Sequence, residues 1–400
     1  MKFSQTFLGK RCPPRLLTWG RVLLRPSQRR RFFRERDIRR EQDARIAEQF
    51  KRDTDKLVVY IVDGADWITG KEKISGGLLS IASMFEEAKK LPELSSHQVI
   101  MVVLDSCPLI LRHTEFENDI TVFRFSQVFS YFSHLRHLII NVPEMLVPAL
   151  PAELRAVPQG RLEAIQNLHV NILHQNNEKM PGPEVVDELK RIVPNVTMTI
   201  GHARSCTSEV SRKFRIPLHY LSTRCSPEHY RRRSFAEKIN LLTASHDERP
   251  MKAAILAELE KKLPDLRIQV IRNISYSQYK ATIEKAKWGV TFGEGLDWYF
   301  LEMVFSGGIS FAVYNEEFFP SEYKGLPTVF DSYEQMRRDL PGMLERLNNP
   351  ESHQECHNAL FNFLKKHHRY DEYLQKLQAF YRGEYDIPFQ NGQLTTAARD

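Results

Sequence analysis

The chain has no uninterrupted apolar run of the roughly 18 residues that a membrane-spanning helix requires, so no helical span is expected. Cysteine is scarce. Cys12, Cys107, Cys206, Cys225 and Cys356 are odd in number, scattered, and form no C-x-x-C pair. That pattern argues against a disulfide framework and points to a reduced, cytoplasmic setting. The G-x-G-x-x-G fingerprint of dinucleotide folds is missing. The one paired histidine, His367-His368, has no further ligand at metal spacing and is expected to be exposed.

Net positive charge is also missing from most of the molecule. The net charge is +7, yet residues 1–56 hold 17 Lys and Arg against 7 Asp and Glu, or +10, which leaves the other 344 residues at −3. The basicity therefore belongs to an N-terminal arm. Residues 15–25, RLLTWGRVLLR, set Leu16, Leu17, Trp19, Val22, Leu23 and Leu24 among arginines, and suit a helix lying in a membrane interface. Residues 29–40, RRRFFRERDIRR, add a basic cluster that would be drawn to anionic lipid. The same charges could serve nucleic acid, or the arm could simply pack on the core; nucleic acid is the least favoured of the three readings.

What is present is a globular composition, 42% apolar and 10% aromatic, over 400 residues, enough for two cores. From residue 56 onward, strand-like and helix-like stretches alternate. Strands are expected near 57–62, 99–104, 120–125, 137–142, 168–173 and 196–200, with helices at 78–91, 129–135, 183–193 and 208–214. Residues 143–158, rich in proline, read as a loop or lid. Periodicity stops at 222–235, STRCSPEHYRRRSF, a basic linker. A second run follows: strands at 239–243, 267–271, 288–292 and 309–313, helices at 252–263, 277–286 and 298–306, then helices at 331–347 and 351–380. Such a rhythm predicts an α/β protein with parallel sheets covered on both faces. The expected division is an arm (1–55), a first Rossmann-like domain (56–222), a second (236–365), and a terminal helix crossing back to the first with a tail (366–400).

Residues 287–313, KWGVTFGEGLDWYFLEMVFSGGISFAV, carry the strongest local signal. A strand runs into an acidic turn in which Gly293 and Gly295 bracket Glu294. Asp297 is a candidate N-cap, and Gly307-Gly308 a helix stop. Glu294 is thereby placed at a strand's carboxyl end, where open α/β sheets bind ligands, and Glu302 on the helix that follows.

The spacing of Glu294, Gly295, Glu302 and Gly307 resembles the E-x7-E signature of retaining GT-B glycosyltransferases. Leu296 replaces a phenylalanine of that pattern, Asp297 its second glycine and Tyr299 its proline. The resemblance implies a GT-B fold, two doubly wound domains facing a cleft, and a nucleotide-sugar donor. It implies that Glu294 holds sugar hydroxyls, Glu302 the ribose, and Gly295 and Leu296 the wall beside the donor. It further implies that Arg249 and Lys252, after the second domain's first strand, offset the diphosphate, and that Asn273 follows the strand beside the base. Gly76 and Gly77, after the first strand, would approach donor or acceptor. His174, at a strand end of the first domain, would face the donor sugar, with His202 a weaker candidate. No metal and no cofactor are expected. The acceptor would be a glycan, lipid-linked if the arm meets the cytoplasmic face of a membrane. The rival readings are a nucleotide-sugar epimerase of the same fold and a non-catalytic scaffold. Asp53-Thr54-Asp55 has the D-x-D form of the other glycosyltransferase fold, but precedes the first strand and is set aside.

Overall fold

The computed structural model describes residues 26–66, 76–112, 120–176, 179–222, 224–247, 249, 251–272, 274–293, 295–296, 298–390 and 393–394. The expected interfacial helix at 15–25 and the expected cap Asp297 lie outside them. Apolar runs flanked by polar turns make the first sheet, whose seven strands are β1 Lys56–Ile61, β2 Gln98–Val103, β3 Val122–Arg124, β4 His137–Pro143, β5 Asn167–His174, β6 Asn195–Ile200 and β7 Leu218–Tyr220. All pair in parallel, in the order β3-β2-β1-β4-β5-β6-β7. The second sheet comprises β8 Ile239–Ala244, β9 Arg267–Val270, β10 Ala286–Val290, β11 Ile309–Val313 and β12 Val329–Phe330. It too is parallel, in the order β12-β11-β10-β8-β9.

Both orders are doubly wound. Chain direction across the sheet reverses between β1 and β4 in the first and between β8 and β10 in the second. At such reversals the loops above the two strands diverge and leave a crevice at their carboxyl ends. The fold is thus α/β with two Rossmann-like domains. Their carboxyl edges meet where Arg204, after β6, donates to the Glu316 carbonyl and, at 3.5 Å, to the Tyr314 hydroxyl, beyond β11. His202 packs edge-on against Phe318, with ring centroids 5.1 Å apart. That opposition of two edges is the GT-B arrangement.

Several elements depart from the sequence expectation. Residues 143–158 are not an open loop: a 3-10 segment Glu144–Ala149 and helix Leu150–Ala156 bury Val147, Leu150 and Leu154 in the first core. Short β7 and β12 were not anticipated. The expected helix 351–380 is two, Pro350–His367 and Tyr370–Arg382, broken at His368-Arg369. His368 is not exposed; its Nε2 shares a 2.9 Å hydrogen bond with the Tyr323 hydroxyl. The first of these helices packs on the second domain, through Leu360 and Leu364. The other packs on the first, through Tyr373 and Leu377. Helix Pro26–Gln49 starts in the basic arm, but its later turns are built into the first domain. Ile46 joins the core, and buried Gln42 donates to the carbonyls of Ile110 (3.2 Å) and Val122 (2.7 Å).

Candidate functional site

The second domain's edge is built by two loops. β8 is followed by Ser245, whose hydroxyl accepts from the Phe292 amide at 3.0 Å, so the loops after β8 and β10 are stitched together at the reversal point. Gly293 lies so close to Asp247 that a Cβ there would stand 2.9 Å from a carboxylate oxygen. Gly295 has φ +90°, and a Cβ there would meet the Phe319 ring at 2.3 Å. Glycine is therefore needed in this loop both for its backbone angle and for its close neighbour. After this loop, helix Trp298–Phe305 ends in a six-to-one bond from the Gly308 amide to Met303 O (2.9 Å) and a bond from Gly307 to Val304 O (3.0 Å). With Gly307 at φ +90°, this is a Schellman stop, legible in the Gly-Gly pair.

The expected site residues fall into four groups. Glu294 and Asn273 lie outside the described residues. Arg249, Gly295, Leu296 and His174 are at the facing edges. Arg249 is exposed, and its Nε donates to the Phe292 carbonyl at 3.1 Å, which also accepts from the Tyr333 hydroxyl at 2.9 Å. This contact uses one guanidinium nitrogen and anchors the cation beside the glycine loop. Leu296 is half-buried against the second core. Gly76 and Gly77 open helix Gly76–Ala88, and a Cβ at Gly76 would meet nothing within 4 Å. Gly76 is thus an open position, not a site of tight packing.

Two residues require correction. Lys252 does not present its charge to the crevice: it is 6% exposed, its ammonium donates to Asp247 O at 2.9 Å, and it sits 5.8 Å from the centre of the Phe292 ring. Its charge shapes the β8 loop from within. Glu302 does not reach the crevice either. It is 1% exposed, and its Oε1 accepts from the hydroxyls of Tyr230 (2.7 Å) and Tyr276 (2.8 Å). Burial pushes its carboxyl up to about 7, against the pull of those tyrosine hydrogen bonds. The sequence places Glu302 on the helix after the loop, but which face it takes depends on the linker tyrosine and the helix Tyr276–Lys285 packing against it.

On the first domain's edge, His174 ends β5, is 5% exposed, and neither ring nitrogen has a hydrogen-bond partner among the described residues. Burial, and then the neighbouring His202, hold its pKa down at about 4, so the imidazole is neutral at physiological pH. A buried polar group left unsatisfied calls for an explanation, and a ligand is one. His202 shares a 3.1 Å bond with Gln175 O through Nε2. Sequence reasoning overlooked Glu144. It follows β4 at the reversal point, is buried, and accepts from the Gln175 amide at 3.3 Å; burial raises its pKa. Its signal, an acidic residue directly after a strand-ending proline, lies within the proline-rich stretch 143–158, whose composition points to a loop. His202 touches Phe318 and Gly295 abuts Phe319, so the His174 turn and the glycine loop flank the same 314–319 segment.

Among the described residues no cluster of three or more His, Cys, Asp or Glu could hold a metal, and no helix is long and apolar enough to cross a membrane. No sequence-family model matches this chain, and no curated protein matches it by sequence. Solved structures do resemble it in fold. A UDP-forming α,α-trehalose-phosphate synthase from Burkholderia xenovorans is 10% identical, over 82% of this chain and 99% of its own, at a TM-score of 0.47. The catalytic domain of starch synthase IV from Arabidopsis thaliana, bound to ADP and acarbose, is 9% identical over 81% and 99%, at 0.45. A UDP-GlcNAc 2-epimerase from Neisseria meningitidis bound to UDP-GlcNAc is 10% identical over 78% and 100%, at 0.35. At such scores these likenesses carry no argument; the two doubly wound sheets stand on this chain's own strand order, and the meeting of their carboxyl edges on the contacts of Arg204 and His202.

Proposed function

We propose that the chain is a glycosyltransferase that takes a nucleotide-sugar donor in the crevice between its two domains and passes the sugar to a glycan acceptor with retention. The observation that carries the reading is Arg249, anchored by one nitrogen to the loop at the β8/β10 reversal. The unanchored part of its guanidinium is available to a diphosphate. As the bond between sugar and diphosphate breaks, negative charge grows on the leaving oxygen, and a fixed cation there lowers the barrier. Glu294, between Gly293 and Gly295 in the sequence, would hold sugar hydroxyls. His174, neutral and without a hydrogen-bond partner among the described residues, would donate to or accept from the sugar. The chemistry needs no metal in this reading. The donor phosphate would act as base toward the acceptor hydroxyl on the same face.

The acceptor is proposed to be lipid-linked, with the chain held at the cytoplasmic face of a membrane. Support comes from the basic helix Pro26–Gln49, on which Phe33 is 44% exposed with Arg36 5.1 Å from its ring centre. A second reading, nucleotide-sugar epimerase, is favoured by Glu144 and His174 bounding one turn, a pair able to remove and return a proton. Incubation with UDP-, GDP- and dTDP-sugars labelled in the sugar separates the two. Label in a larger product supports transfer, label in a free epimer supports the alternative, and neither sinks both.

A further inference from the structure

A cavity of about 750 Å³ opens at the other end of the first sheet, below the amino ends of β4, β5 and β6. That is the edge away from the crevice, so the donor does not account for it. Its floor includes His137, Ile139, His169 and Thr197, and one wall holds Lys190 and Arg215. Tyr385 and Phe389, from the segment after helix Tyr370–Arg382, form another. Among the described residues no carboxylate lines it, whereas Lys190, Arg215, His97, His137 and His169 all do.

The walls are fixed by bonds of their own. Asp187, outside the lining, pairs with Lys190 at 3.5 Å and with Arg215, which holds the two cations side by side and neutralises only one. The Lys190 ammonium also donates to Arg215 O at 3.2 Å. Asn167 and the His137 Nδ1 share a 2.8 Å hydrogen bond, as do the His169 Nε2 and the Thr197 hydroxyl. Burial holds His169 near pKa 4 and lowers His97, so both act as neutral hydrogen-bonding groups. The aromatic wall is held by paired bonds between Leu218 and Ile387, of 2.9 and 3.0 Å, and by Asp386, which accepts from the Tyr220 amide at 2.8 Å. The tail thus extends the sheet past β7 and fixes Tyr385 and Phe389 over the opening.

We propose that this cavity binds a phosphate monoester carried on a ring, with the phosphate on Lys190 and Arg215 and the ring between the imidazoles and Tyr385 and Phe389. Its volume falls in the range of small-molecule sites, roughly 300–1,000 Å³. One cation in surplus over Asp187, with no carboxylate among the described lining residues, selects an anion, and two half-buried aromatic side chains favour a flat or ring-shaped body. The shared chemistry has two sources, a nucleoside monophosphate and a sugar phosphate. Occupancy would tie the first sheet to the segment following the crossing helix, independently of donor binding.

Titration calorimetry on the full chain tests this with adenosine 5′-monophosphate, ribose 5-phosphate and inorganic phosphate as separate probes. Asn195→Trp fills the mouth from an exposed position, and Lys190→Glu reverses one charge. At least one ester should bind the wild type, lose binding in Asn195→Trp, and weaken by about tenfold or more in Lys190→Glu. Unchanged thermal midpoints show that both variants are folded. Preference for the nucleotide or for the sugar phosphate names the source. No binding at millimolar ester, binding that survives both variants, or inorganic phosphate binding as tightly as either ester overturns the proposal. A saturating nucleotide-sugar should leave ester affinity unchanged; competition would assign the ester to the crevice and equally overturn it.

Discussion

Arg249 and Glu302 show how far a single side chain's role depends on where its charge is directed. Arg249 spends one nitrogen on the Phe292 carbonyl. Arg249→Ala is therefore expected to lower kcat/KM for sugar transfer by about 10²-fold or more while leaving the denaturation midpoint unchanged; steady-state kinetics with labelled donor check this. Glu302 faces inward, toward two tyrosine hydroxyls. Its carboxyl rises from an ordinary 4.5 to about 7 on folding, so in that interval the folded chain binds more protons than the unfolded one. Stability contributed by this group is present below pH 4.5 and is lost as pH rises through about 7. Glu302→Gln should remove that component of the pH dependence, on the order of 2–3 kcal/mol, in urea titrations compared at pH 5 and pH 7.5. If the variant and the wild type keep parallel pH profiles, the carboxyl is not the titrating group.

Elements were read from sequence where a local rule sufficed. The Gly307-Gly308 pair stops its helix because Gly307 needs φ +90°, and a Cβ there would stand 2.2 Å from Arg233 O. Gly307→Ala is expected to cost about 1–3 kcal/mol, measurable by chemical denaturation, because both strain and clash arise at one atom. Two caps not named from the sequence are the Ser275 hydroxyl, which accepts from the Gln278 amide at 3.2 Å, and the Asn349 side chain, which accepts from the Ser352 amide at 2.9 Å. Other elements lack such punctuation. Residues 144–156 form helical turns that contain prolines, Pro151 in the tolerated first turn of Leu150–Ala156 and Pro148 inside the 3-10 segment before it, so composition points to a loop. β7 has three residues and β12 two, too short for alternation to be detected; both exist because a neighbouring strand offers an edge.

In the whole molecule, the chain crosses between domains twice, at the linker and again near residue 369, and one buried carboxylate serves both crossings. Glu87, on helix Gly76–Ala88, lies 2.7 Å from the Arg224 guanidinium of the linker and accepts from the Tyr370 hydroxyl at 2.8 Å. Glu87→Ala would leave Arg224 and Tyr370 without that anchor. It is expected to cost about 2–3 kcal/mol, less than the fully buried limit because Arg224 keeps some solvent. It should also broaden the distribution of domain spacings seen by small-angle scattering. An unchanged scattering curve would mean that the crossings are held elsewhere. At the same scale, removing residues 1–40 should abolish recovery on anionic vesicles in a flotation assay and leave sugar transfer to a soluble acceptor intact. Retained flotation would place the lipid contact outside the arm.

The alternation of strand and helix, the parallel character of both sheets, the basic arm and the glycine loop at 293–295 were all determined by sequence alone. Each follows from periodicity, charge or backbone freedom within a few residues. Which face Glu302 would show, that Lys252 turns its charge onto its own loop, and that His174 ends without a hydrogen-bond partner among the described residues were decided only by tertiary structure. Those outcomes depend on Tyr230, Tyr276, Phe292 and His202, residues distant in sequence that come together only when the sheets are assembled and the linker is laid down. The cavity at the opposite edge has the same origin: Lys190, Arg215 and Phe389 carry no common motif, and only the return of the C-terminal segment to the first sheet brings them together.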